Sequence, residues 1–276
     1  MHISCSDDNI SIRYMLKMTN KRQTLILEIV REKGFASIEH LAAHFNVTQQ
    51  TARRIVNQLC DQGLLRRIHG GVGLPVSNQN LAYESRQGLN FEAKRQIAQA
   101  VLNFIPDGAS IMIGLGTTPE YVARALADRK NLRVITNNLN VASAFARNPD
   151  VEITIAGGTL RPLDRDIIGD AAVRFFSRFK VDVGIFGVGG IDEEGTLLDF
   201  YSGEVQARQA IVANCRTALL VADASKFGRS ATVRGGHISD CHHLFTDKPL
   251  PADFQRIAEQ YGDKIRIVGD GRVQAA

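Results

Sequence analysis

From Lys21 onward the apolar residues fall at helical spacing. Leu25, Ile26, Ile29 and Val30 form one stripe that Gly34 interrupts, which predicts an amphipathic first helix. Ser37 offers an N-cap, and Ile38, Leu41, Ala42 and Phe45 recur at the spacing of a core-facing second helix. Asn46-Val47 makes a tight turn, and Thr48 can cap a third helix buried through Ala52, Ile55 or Val56, and Leu59. Its other face carries Gln49, Gln50, Arg53, Arg54, Asn57 and Gln58. The run Leu64 to Gly73 then reads as two short extended arms around Gly70-Gly71, a hairpin.

The pattern changes after Pro75-Val76-Ser77-Asn78-Gln79-Asn80, a polar, turn-rich stretch. A helix is expected over Glu92 to Phe104. Apolar runs follow at 110–113, 132–135, 151–156, 182–188, 217–222, 243–246 and 264–268, most of them separated by helical stretches. This rhythm predicts a largely parallel sheet flanked by helices, with ligands held beyond the carboxyl ends of the strands. Polar and glycine residues gather at those ends: Gly114 to Thr118, Thr136-Asn137-Asn138, Gly157-Gly158, Gly187 to Gly190 and Asp223 to Gly228.

One such end organises the second half. Ser110 to Ala127 reads as strand, loop and helix, with Pro119 at the expected first helical position. The loop Gly114-Leu115-Gly116-Thr117-Thr118 places backbone N–H groups and hydroxyls at a helix N-terminus, where an anion is favoured. It reads as a phosphate cradle, or equally as a βα turn with no ligand. It lacks the third glycine of a dinucleotide fingerprint and the lysine of a Walker loop.

Charge sharpens the division. The first 75 residues hold ten Lys/Arg and six Asp/Glu, while the remainder holds 23 of each, so the whole formal excess of +4 lies in the first part. A basic small module joined to a neutral large one fits a nucleic-acid partner. The expected layout is a flexible leader over 1–20, a DNA-binding domain over 21–75, a linker over 76–90 and an α/β domain over 91–276. The four scattered cysteines, without a CxxC pair, suit reduced thiols in the cytoplasm. No apolar run is long enough to span a membrane, the N-terminus has no signal-peptide core, and Cys241-His242-His243 lacks a completing ligand for a metal. No cofactor is expected.

The third helix decides the chemistry of the first domain. Amides and guanidinium groups at Gln49, Gln50, Arg53, Arg54 and Asn57, rather than Glu and Lys, can bond to base edges in a major groove. With Thr48 at its start, the arrangement is a helix-turn-helix with a wing whose Arg66, Arg67 and His69 would meet phosphate. A three-helix interaction module is the bland alternative.

Residues 21–74 resemble the DNA-binding domain of the DeoR-type bacterial repressors, through Arg22, Ile26, Val30, Thr48, Thr51, Arg53 and Arg54. The resemblance runs to about residue 270 through LGTTPE, ITNNLNVA, AGG, IIG, GIDEEGTLLDF, EV and DASKFGR. It implies a winged helix followed by a sensor domain similar in fold to ribose-5-phosphate isomerase and the CoA transferases. It further implies that Gly114, Gly116, Thr117 and Thr118 cradle a phosphate and Lys226 neutralises it. Asn137, Asp199 and Glu204 would bond ligand hydroxyls. TNNLNVA (136–142) and SKFGR (225–229) resemble members that answer to glycerol 3-phosphate. The chain departs from the family pattern at Gln49 and Ile55 in the third helix. In the sensor it departs at Gly114 (usually Asp or Asn), Arg165-Asp166 (usually Gly-Gly), Gly189 and Tyr201-Ser202-Gly203. The departures in the sensor bear on which inducer is taken.

Three functions are compatible with these features. The leading one is a homo-oligomeric repressor on double-stranded operator DNA, released by a phosphorylated sugar or polyol. The second is a sugar-phosphate isomerase-like enzyme with a DNA-binding attachment, using Asp199 or Glu204 beside Lys226. The third is an architectural DNA binder whose large domain only oligomerises.

Overall fold

The computed structural model describes residues 21–33, 35–61, 64–68, 70–73, 80, 83–269 and 272–275. The expected leader and His69 lie outside the described residues. The chain divides after Gly88 into two compact units.

The first unit holds α1 (Lys21–Lys33), β1 (Phe35–Ser37), α2 (Ile38–His44), α3 (Gln49–Asp61), β2 (Arg66–Ile68), β3 (Gly71–Gly73) and α4 (Tyr83–Gly88). The Ser37 side chain accepts a bond from the His40 amide, and Thr48 Oγ1 accepts one from the Thr51 amide at 3.2 Å, so both expected caps form. Both Ile55 and Val56 are buried with Ala52 and Leu59, against Ile26, Val30 and Leu41. The buried face of α1 differs from expectation: Leu27 is inside, while Leu25 is 44% exposed. That face also contains Gln23, whose Nε2 donates to Gln58 Oε1 at 3.2 Å, and a polar residue in a helical stripe hides its centre. The hairpin is present, with Arg66 opposite Gly73 and Ile68 opposite Gly71. A third strand, β1, pairs with β3 and was too short to show a period of its own. A Cβ on Gly71 would strike the carbonyl of Ala36, so the close approach of β1 and β3 requires glycine there. Helix α4 lies in what the sequence presented as linker.

The second unit holds α5 (Phe91–Phe104), β4 (Ser110–Ile113), α6 (Thr117–Ala125), β5 (Arg133–Thr136), α7 (Leu139–Phe145), β6 (Glu152–Ile155), α8 (Asp170–Phe176), β7 (Val181–Phe186), β8 (Gly190–Ile191), β9 (Thr196–Asp199), α9 (Ser202–Ala213), β10 (Cys215–Val221), β11 (Val233–His237), β12 (His243–Thr246), α10 (Gln255–Tyr261), β13 (Ile265–Gly269) and β14 (Arg272–Ala275). Its main sheet runs β14-β13-β12-β10-β7-β4-β5-β6, parallel except at the β13–β14 pair. The seven expected apolar runs are its parallel strands. The central strand β4 reads as a continuous apolar run because both its faces are covered: Ile111 and Ile113 enter one core, Met112 the other. The chain builds β4, β5 and β6 outward, then returns to place β7 on the opposite side of β4. The order therefore reverses between β4 and β7, the position where open sheets of this kind part to form a crevice. A second antiparallel sheet, β11-β9-β8, was not foreseen; β8 has two residues and β9 four.

Candidate functional site

In the first unit Gln49, Gln50, Arg53, Arg54 and Asn57 lie exposed along α3, and Arg66 and Arg67 lie exposed on the hairpin. Gln58, on the same sequence face, is instead engaged with Gln23 of α1. Thr48 is exposed but serves the helix start, sharing its Oγ1 between the Thr51 amide and the Thr51 hydroxyl. Arg67 lies beside Cys60; burial pushes that thiol up, against the pull of the guanidinium.

In the second unit the switch point opens as a small, narrow cleft, part of it open to solvent. Leu115, Phe186, Ala207 and Ile211 give it apolar walls; Asn137, Asp199, Glu204 and Arg208 give it polar ones, with Gly114 and Gly187 between. Gly114 donates to the Ile185 carbonyl at 2.9 Å. A Cβ on Gly114 would meet Ile211 Cδ1 at 2.9 Å, so an isoleucine methyl occupies the space beside it.

Four of the eight expected ligand residues, Gly114, Asn137, Asp199 and Glu204, line this one cleft. Gly116, Thr117, Thr118 and Lys226 do not line it. Gly116 has φ 123° and caps α6, which begins at Thr117 rather than at Pro119. Pro119 is the third helical residue. The first helical bond runs from the Glu120 amide to the Gly116 carbonyl, so an N–H at position 119 would have no helical acceptor and proline is tolerated. Thr117 and Thr118 are nearly buried at that N-terminus. Lys226 ends a short turn after β10. Burial works to raise the Asp223 carboxyl, but the Lys226 charge and bonds from Ser225 hold it below the ordinary range.

The strand-end asparagines have distinct tasks. Thr136 Oγ1 donates back to the Ile113 carbonyl, and Asn138 Oδ1 caps α7 by accepting from the Asn140 and Val141 amides. Asn137, 1% exposed, donates its Nδ2 to the Ile167 carbonyl at 2.7 Å. That bond fixes the amide's orientation and leaves Oδ1 buried without a hydrogen-bond partner among the described residues.

Asp199 differs from the sequence expectation, which had it facing ligand hydroxyls. Asp199 Oδ1 accepts from the Gly189 amide at 2.7 Å, and Oδ2 from Arg208 Nη2 at 2.7 Å and Nε at 3.2 Å. Arg208 Nη1 donates to the Gly235 carbonyl, so the pair ties β9, α9 and β11 together. Asp199 is therefore engaged on both oxygens. Glu204, in the first turn of α9, accepts from Arg161 Nη2 at 2.8 Å through Oε1. Arg161 also forks onto Asp166 through two bonds of 2.8 Å, with Asp164 at 3.7 Å and the Tyr201 ring 5.2 Å away. Burial pushes Glu204 up to about 7, against the pull of Arg161. Burial also raises Asp199. Burial works against the Arg161 charge, but the bonds to Asp166 and Glu204 hold that guanidinium above its ordinary range.

Arg161, Asp166 and Arg208 were missed as site residues. Their only sequence signals were the departure at Asp166 and an arginine four residues after Glu204 on a largely apolar helical face. Cys241 and His242 are engaged with the backbone at Ile238 and Ala218, and no three His, Cys, Asp or Glu among the described residues are placed to hold a metal. No described helix is long and apolar enough to cross a membrane.

A winged helix on one chain with an α/β unit cleft at its switch point has the layout of a two-domain regulator. Residues 22–78 match the DeoR-like helix-turn-helix domain and residues 89–248 match the DeoR C terminal sensor domain. The chain belongs to the DeoR family. It is 44% identical over 247 residues to the glycerol-3-phosphate regulon repressor of Escherichia coli, covering 90% of this chain and 98% of that one. It is 46% identical over 225 residues to the protein of the same name from Haemophilus influenzae, covering 82% and 88%. The HTH-type transcriptional repressor CsqR of Escherichia coli is 41% identical over 233 residues, covering 84% and 89%. Among solved structures, ribose 5-phosphate isomerase from Methanocaldococcus jannaschii aligns distantly, with a TM-score of 0.38 at 16% identity over 51% of this chain and 56% of that one.

Proposed function

We propose that the protein is a DNA-binding transcriptional repressor of carbohydrate or glycerol metabolism genes, released from its operator by a phosphorylated sugar or polyol, with glycerol 3-phosphate the first candidate. The observation that carries this reading is identity of 44% across nearly the full length of a repressor named for that regulon. The exposed amide-and-arginine face of α3 and the cleft at the switch point support it. In this reading α3 enters a major groove through Gln49, Gln50, Arg53, Arg54 and Asn57, while Arg66 and Arg67 meet phosphate. The inducer's phosphate sits at the N-terminus of α6 with Lys226 nearby, and its hydroxyls reach Asn137 and Glu204. Release requires the inducer to favour a state that binds DNA less tightly. The protein acts in the cytoplasm as a homo-oligomer, because two-fold pairing doubles the base pairs read.

We infer that the cleft binds rather than transforms its ligand: both oxygens of Asp199 are held by donors of the protein, so that carboxylate is not free to act as an enolising base, and the similar proteins are named as repressors. The test is a titration of sn-glycerol 3-phosphate and ribose 5-phosphate against the protein–operator complex, followed by anisotropy. Release by at least one phosphate, without its conversion, is expected. A complex that neither compound dissolves, together with an unmoved melting temperature, would sink the sensing reading.

A further inference from the structure

We propose that Asn90 is a latch linking the proposed phosphate site to the chain that arrives from the DNA-binding unit: its side chain grips the turn from Asp223 to Lys226 while its backbone is left-handed, so an anion at Lys226 and the course of the chain at Leu89 are set together. This rests on the sensing reading above and adds the route by which the site acts.

Leu89 and Asn90 open the second unit, and α5 starts at Phe91. Asn90 has φ 53° and ψ 35°, a left-handed conformation that asparagine tolerates better than most residues but does not prefer. Its side chain does not cap α5. Instead Nδ2 donates to Asp223 Oδ1 at 2.9 Å and to Ser225 Oγ at 3.0 Å, across 133 and 135 residues of sequence. A second contact guards the same break. The Leu89 carbonyl, which a longer α5 would pair with the Ala93 amide, accepts from the Nζ of buried Lys94 at 2.6 Å. Without its side-chain bonds Asn90 relaxes to the right-handed region, and α5 can grow backwards through Leu89 and redirect the chain there. The two arrangements are discrete, as a switch requires. The other end of the latch is the turn that follows β10. Asp223 is buried, and its Oδ1 also accepts from the Ser225 amide at 3.1 Å. Burial works against its charge, which Lys226 chiefly sustains, with help from Ser225 and Lys94. An anion that draws on Lys226 leaves Asp223 less compensated, and the carboxylate then depends more on the donor at Asn90. The ligand therefore favours the latched arrangement, which is the one that binds DNA less tightly.

The experiment uses the full-length protein and two variants. Asn90→Gly removes both side-chain bonds and keeps a left-handed backbone accessible; Asn90→Ala removes them and disfavours that backbone as well. Operator affinity is followed by anisotropy without ligand and with saturating sn-glycerol 3-phosphate or ribose 5-phosphate, whichever releases the wild type. Calorimetry measures binding of the same compound to the DNA-free proteins. In the wild type the ligand should lower operator affinity at least about tenfold. That factor should shrink about threefold or more in Asn90→Gly and further in Asn90→Ala, while both variants bind the compound within about threefold of wild type. If Asn90→Ala fails to fold, Asn90→Gly decides alone. A lower melting temperature with the factor intact would make the bonds merely structural, and that result overturns the proposal. Parallel loss of ligand binding and release would mean that Asn90 only shapes the site, and overturns it too. A wild type that neither compound binds or releases overturns the sensing reading and this inference with it; release of the wild type with an unmoved factor in Asn90→Gly overturns the inference alone.

Discussion

Replacing Arg208 by methionine would remove the guanidinium and keep much of the side-chain volume, stranding Asp199. Both groups are about 95% buried, so little solvent screening weakens their interaction. The remaining donor to Asp199 would be the Gly189 amide, and the Gly235 carbonyl would lose Arg208 Nη1. Breaking one side of such a pair costs about 3–5 kcal/mol, whereas replacing both sides with matched neutral groups is far milder. Arg208→Met and Asp199→Asn should therefore each lower stability by roughly 3–5 kcal/mol, and the double variant by only about 1–2 kcal/mol. In a unit of this size each 1 kcal/mol moves the melting temperature by about 2–4 °C, so each single change should lower it by roughly 10 °C. Calorimetry and urea unfolding of the four proteins in the cycle measure the coupling. If the single losses simply added in the double variant, the pair would not be the tie between β9, α9 and β11 described above.

Arg53→Ala should weaken operator binding by about 1–3 kcal/mol, and Arg66→Ala should weaken all sequences alike and flatten the salt dependence; unchanged anisotropy curves for both would remove the winged-helix assignment. Lys226→Ala should raise the inducer concentration needed for release by about tenfold while leaving inducer-free operator affinity near wild type, as loss of one charge-assisted bond requires. Glu204 rises from 4.5 to about 7 on folding, so between those values the folded state holds the extra proton and stability falls as pH rises through the window. That carboxyl alone accounts for roughly 3 kcal/mol, and Glu204→Gln should flatten urea-unfolding stability between pH 5 and 8; a slope identical to wild type would contradict the assignment. Static light scattering of the full chain at micromolar concentration should give a dimer or larger, and a clean monomer would contradict two-fold operator recognition.

Periodicity revealed what is long or repeated. The buried set of α3 and all seven parallel strands stand in the sequence, because burial on one or two faces imposes a pattern on every residue of the element. The gathering of Gly114 and Asn137 at one edge followed, since parallel strands put their carboxyl ends together; Glu204, on α9 after the antiparallel β9, was expected there only through the resemblance. Short and non-local features left no such trace. β1 and β8 are too brief for a period, and Gln23 disguised the buried face of α1. The arginine partners of Asp199 and Glu204 lie nine and 43 residues away, so nothing local distinguishes a carboxylate waiting for a ligand from one already held by the protein.

The third strand of the hairpin sheet has a kinetic consequence. Because β1 pairs with β3, and the Ile38 amide donates to the Gly70 carbonyl, the hairpin is laced to the junction of α1 and α2 before any DNA arrives. A loop that folded only on contact would add an ordering step to each encounter and bring an unfavourable entropy with it. Here Arg66 and Arg67 ride on a strand already in register. If Arg66 and Arg67 meet phosphate as proposed, encounter with a duplex would be a rigid docking accelerated by charge, and discrimination among sequences would fall to how long the docked protein stays.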